Sequence, residues 1–95
     1  MIIKENAIKI AQCYLEEQQA KIRYDLVLLF DATIEFEFGW VFFYQSKEFV
    51  ETGDIGEMLG GNSPIIVSKQ DGSVFVTGTG YPIEKYIADY KAKYS

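Results

Sequence analysis

Residues Ile34 to Gln45 alternate between two kinds of side chain. Even positions read Ile34, Phe36, Phe38, Trp40, Phe42 and Tyr44, while odd positions read Glu35, Glu37, Gly39, Val41, Phe43 and Gln45. A period of two is the period of a β-strand, whose successive side chains point to opposite faces of a sheet. The segment therefore calls for a sheet, with the even face turned to the core. Gly39 marks a bulge or a close backbone approach, and a bulge there would invert the parity beyond it.

Helical spacing brackets this β-rich middle. Ile3, Ala7, Ile10, Ala11, Tyr14 and Leu15 share one face of a helix ending near Gln19, with Lys4, Glu5, Lys9, Gln12, Glu16 and Glu17 off that face. At the other end Pro82 suits a first helical turn, and Ile83, Tyr86, Ile87, Tyr90 and Tyr94 repeat at helical spacing. Between them, Asp25–Phe30 reads as a short strand and Asp31–Thr33 as a turn. Pro64–Lys69 and Val74–Thr77 read as strands joined at Asp71-Gly72, a hairpin signal. Ser46–Ser63 is a long connection rich in glycine, in which Asp54–Leu59 suits a helical turn. The order α-β-β-β-β-α predicts an α+β fold of two helices against a mostly antiparallel four-stranded sheet.

A chain of 95 residues is one domain, spanning 1–95. It can bury roughly two-thirds of its unfolded surface, enough for a core but not for a core and a deep substrate cleft. Two arrangements of the helices remain open. If both cover the even face, Val41 and Phe43 lie on an open apolar face rimmed by Glu35, Glu37 and Gln45, a partner site or dimer interface. If one helix packs on each face, those residues are core.

The net charge of −5 is unevenly spread. Segments 1–24 and 73–95 each carry +1, whereas 25–72 sets nine acids against Lys47 and Lys69. Such a surface repels phosphate backbones, which argues against nucleic acid, and favours a basic protein partner. No apolar run approaches the roughly 20 residues of a membrane span. Met1-Ile2-Ile3-Lys4-Glu5 turns polar without the apolar stretch of a signal peptide, so the default location is the cytoplasm.

The residue inventory is poor in chemistry. The absence of histidine excludes Ser-His-Asp and Cys-His sites and removes the commonest metal ligand. Cys13, the lone cysteine, sits by an apolar helix face and reads as packing. The glycines at 53, 56, 60 and 61 lack the Gly-Lys-Ser/Thr of a phosphate loop and stand among Glu48, Glu51, Asp54 and Glu57. The spacing of Glu51, Asp54 and Glu57 matches no calcium loop. Neither a cofactor, a metal nor an enzymatic activity is expected.

The ordered series Gly39-Trp40-Val41-Phe42-Phe43-Tyr44, Thr52-Gly53-Asp54, Gly61-Asn62-Ser63-Pro64-Ile65-Ile66-Val67, Asp71-Gly72 and Gly78-Thr79-Gly80-Tyr81-Pro82-Ile83-Glu84-Lys85-Tyr86 resembles the immunity protein 35 family over almost the whole chain. The resemblance implies an immunity protein that binds and neutralises a bacterial polymorphic toxin. The alternative it offers is a heat-stable, chaperone-like protein that binds exposed apolar surface. It supplies no catalytic residues. The pattern marks Trp40, Gly61, Asn62 and Pro64, which read as shaping the loop and the start of the following strand.

The expected partner-binding residues are thus Glu35, Glu37, Glu48, Glu51, Asp54 and Glu57 for a basic toxin. Val41 and Phe43 belong to the apolar alternative. The partner is a protein, with the chain itself a monomer or homodimer.

Overall fold

The computed structural model describes residues 1–22, 25–54 and 63–94. It is an α+β fold in which helices α1 (Lys4–Ile22) and α3 (Ile83–Tyr94) bracket strands β1 (Leu26–Leu28), β2 (Ile34–Phe36), β3 (Gly39–Phe42), β4 (Tyr44–Ser46), β5 (Ile65–Ser68) and β6 (Val74–Val76), with a short helix α2 (Lys47–Thr52) after β4. The strands form an antiparallel pair, β1-β4, and an antiparallel four-stranded sheet in the order β2-β3-β5-β6.

The segment expected as one strand is three. Phe36 pairs with Gly39, Glu35 with Trp40 and Ile34 with Val41, so the chain reverses through a two-residue turn at Glu37-Phe38. In such a hairpin an even position always faces an odd one, and paired residues share a face. Ile34 and Phe36 therefore join Val41 on one side, while Trp40, Phe42 and Tyr44 occupy the other. Gly39 is required at the start of β3 because a Cβ there would run into the Val67 carbonyl oxygen of β5.

This splitting of the apolar residues gives the sheet two buried faces. On one, Ala7, Ala11 and Leu15 of α1 pack on Trp40, Phe42, Tyr44, Ile65 and Val67. The two alanines let the helix approach the strands closely. On the other face, Tyr90 of α3 is buried against Val41 and Ile66, with Phe36, Phe75 and Ile87 closing around it. The Phe36 and Phe75 rings meet Tyr90 edge-on, with centroids 5.9 and 5.6 Å away, the geometry favoured by the ring quadrupole. One helix thus covers each face, which resolves the choice left open by the pattern.

The β5–β6 hairpin forms where Asp71-Gly72 predicts it. Gly72 takes φ 74°, and Asp71 Oδ1 accepts the Ser73 N–H at 2.9 Å. That hydrogen bond holds the Asp71 carboxyl below its ordinary pKa. The expected helical turn at Asp54–Leu59 lies outside the described residues beyond Asp54. The helix of this region forms earlier, at Lys47–Thr52.

Candidate protein-binding surface

Helix α2 is short and defined by its ends. Ser46 is its N-cap, in extended backbone, and its hydroxyl accepts the Phe49 N–H at 3.1 Å. Gly53 closes it at φ 71°, donating its N–H to the Phe49 carbonyl at 2.7 Å. A serine cap and a terminal glycine seven residues apart are a helix signature, and this signal could have located α2 from sequence. The Lys47 N–H also donates to the Asp25 carbonyl at 2.8 Å, which ties α2 to the start of β1.

These contacts gather acids. Glu48, Glu51 and Asp54 are exposed on and just after α2, and Asp25, which the sequence pattern does not single out, joins them. Lys47 stands among them, its Nζ 3.9 Å from Glu51 Oε1 with both side chains more than half exposed. A contact of that kind neutralises little. Val50 is exposed between the acids and Phe49 is half-buried beneath them. Glu57 lies outside the described residues.

Glu35 and Glu37 belong to a different place. Glu35 lies in β2 and Glu37 in the turn before β3, whereas α2 follows the end of β4. The run from Gly39 to Ser46, at most roughly 25 Å of chain if fully extended, lies between the groups. Glu35 is held by Lys69, with Nζ to Oε2 at 2.9 Å. The Lys69 hydrogen bond and charge pull its pKa below the ordinary glutamate value, and the Trp40 indole N–H adds to the effect. Among the described residues that buried N–H meets no acceptor at full hydrogen-bonding geometry. Glu37 is exposed in the turn, beside Phe38, Tyr90 and Tyr94 at a cavity of about 290 Å³.

The apolar alternative is corrected. Val41 is 0% exposed. Phe43 is half-buried in the cluster under α3, and its carbonyl accepts the Leu29 N–H. The face they were expected to present is occupied by α3, because the hairpin at Glu37-Phe38 brings Ile34 and Phe36 to that side and makes it core.

Among the described residues no group of three or more Cys, Asp or Glu side chains is placed to hold a metal ion. No described helix is long and apolar enough to cross a membrane.

The exposed acids of α2 stand beside the β1–β4 pair, and the family comparison gives the chain a class. The family model described as Immunity protein 35 matches residues 5–91, and the chain belongs to that family. It is 36% identical over 93 residues to the uncharacterized protein YrhB of Escherichia coli (strain K12), an alignment covering 98% of this chain and 93% of that protein. No solved structure matches.

Proposed function

We propose that this chain is the immunity partner of a bacterial toxin, binding the toxin's effector domain through the acidic surface around α2 and blocking it by occlusion. What carries the reading is the concentration of exposed carboxylates at Asp25, Glu48, Glu51 and Asp54, with Lys47 only loosely held to Glu51, on a member of an immunity family. Complementary charge at such a surface speeds encounter and rejects wrong partners. A basic effector domain is the partner it fits. The two proteins meet in the cytoplasm, the chain acts as one domain over 1–95, and neither catalysis nor a cofactor enters the mechanism.

The chaperone-like alternative depended on an open apolar sheet face at Val41 and Phe43, and α3 covers it.

The test is co-expression with the effector domain encoded beside this chain. Protection of the cells, together with a complex isolated from purified components, is the expected result. An effector that neither binds the chain nor is silenced by it overturns the reading.

A further inference from the structure

The four-stranded sheet has two edges, and among the described residues only one is guarded. Edge strand β2 carries exposed Glu35 and leads into Glu37. Charge at an edge is how natural sheets avoid pairing with other strands. Edge strand β6 has no such protection, since residues 72–83 contain no charged side chain and no proline before Pro82.

The hydrogen-bond parity of β6 exposes its backbone. Ser68 donates to the Ser73 carbonyl at 2.9 Å and Thr77 to the Pro64 carbonyl at 3.0 Å. Antiparallel ladders alternate bonded and non-bonded pairs, so Phe75 bonds inward to Ile66 while Val74 and Val76 turn their N–H and C=O groups away from β5. The Val74 and Val76 side chains, 38% and 48% exposed, project on the α1 face at the same edge.

We infer that β6 pairs with β6 of a second copy of this chain, in antiparallel register about a two-fold axis at Phe75. The edge is its own complement. Val74 meets Val76 of the partner subunit and exchanges both backbone bonds, and the two-fold repeats the exchange, for about four hydrogen bonds.

The flanking groove favours the same occupant. A groove of about 390 Å³ lies between α1 and Val74 and is lined by Lys9, Cys13 and Glu17 in one helical row, with Ile10 and Tyr14; Cys13 is exposed there and not the packing residue its helix position suggests. The two-fold runs the two rows in opposite directions, setting Lys9 toward the partner subunit's Glu17 and Cys13 toward the partner subunit's Cys13. One like-charge contact opposes this. Lys93 Nζ lies 6.0 Å from the Phe75 ring centroid, so the two Lys93 groups approach each other near the axis and keep the association reversible. Helix α2 follows β4, outside the four-stranded sheet, so each subunit of the dimer keeps its acidic surface.

Sedimentation equilibrium over a wide concentration range reads the proposal directly. The 10.9 kDa chain should shift to twice that mass as concentration rises. Val76→Lys and Val76→Pro should each raise the dissociation constant by about tenfold or more, the proline by removing an outward donor that serves no bond among the described residues. Lys93→Gln should tighten the dimer. A hexane-spaced bismaleimide should link the chains through Cys13 in the parent and not in Val76→Lys. If Val76→Pro perturbs folding by circular dichroism, Val76→Lys decides alone. A chain that stays monomeric at every concentration, or a dimer indifferent to Val76→Lys, overturns the proposal.

Discussion

Lys69 reaches over the Trp40 ring, its Nζ 5.4 Å from the ring centroid, to hold the Glu35 carboxylate at 2.9 Å. Glu35 stands directly opposite Trp40 in the β2–β3 hairpin, so a cation from the end of β5 clasps the far strand above the one tryptophan of the core. The folded pKa of Glu35 is depressed relative to the unfolded chain, so its contribution to stability is present above the unfolded value. That contribution is lost as pH falls through the folded value. A side-chain carbonyl NMR titration should find Glu35 ionising on the acid side of the ordinary glutamate range. Lys69→Met should return it to that range.

Coverage of both sheet faces has a mutational signature. Ile65 and Ile66 are adjacent in β5, both 0% exposed, and point to opposite helices. Ile65→Ala and Ile66→Ala should therefore each cost about 2–5 kcal/mol in urea unfolding. An open face under Ile66 would make the second change far cheaper than the first.

Two glycines should resist substitution for different reasons. At Gly39 a Cβ meets the Val67 carbonyl, so Gly39→Ala forces β3 from β5 and should cost about 1–3 kcal/mol. At Gly53 nothing lies within 4 Å of where a methyl group would stand, and only φ 71° opposes one. Gly53→Ala should cost about 1–2 kcal/mol, with Gly53→Asn milder because asparagine tolerates the left-handed region. Thermal unfolding of the three variants checks the ranking.

The outer helices and the Asp71-Gly72 hairpin are legible in the sequence because their signals are local: helical spacing, Pro82, and a dipeptide suited to positive φ. The Glu37-Phe38 hairpin is not. Neither residue is a turn former, and the alternation runs through the reversal unbroken, since a two-residue turn exchanges faces without breaking the pattern. That one turn decides whether Val41 and Phe43 are surface or core. The acids of the candidate site could be read from composition and charge distribution. Their division into two ends depends on register, and the bare edge at β6 depends on strand order, neither of which is written locally.

Ser46 links the stability of α2 to its proposed role. Its hydroxyl caps the helix that presents Glu48 and Glu51. Ser46→Ala should cost about 0.5–2 kcal/mol and loosen α2, weakening toxin binding while β1 and β4 remain paired. Hydrogen exchange should show faster exchange at Phe49 and Gly53 than in the parent. Uniform acceleration across the sheet would assign Ser46 to the core alone.

The two acidic ends can be told apart by association kinetics with a basic effector domain. They lie at opposite ends of the run from Gly39 to Ser46, so each can be neutralised by its own substitutions. The α2 end carries more exposed acids, Asp25, Glu48, Glu51 and Asp54 against Glu35 and Glu37. Glu35 at the other end is already answered by Lys69 at 2.9 Å, whereas Lys47 stands 3.9 Å from Glu51 with both side chains exposed. Combining Glu48→Gln, Glu51→Gln and Asp54→Asn should slow association by about tenfold or more and flatten its dependence on salt, since steering of this kind is screened by ions. Glu35→Gln with Glu37→Gln should leave the rate near the parent's. The reverse result would move the interface to the hairpin end. If only Glu57→Gln slowed association, the interface would lie in the segment between Asp54 and Ser63.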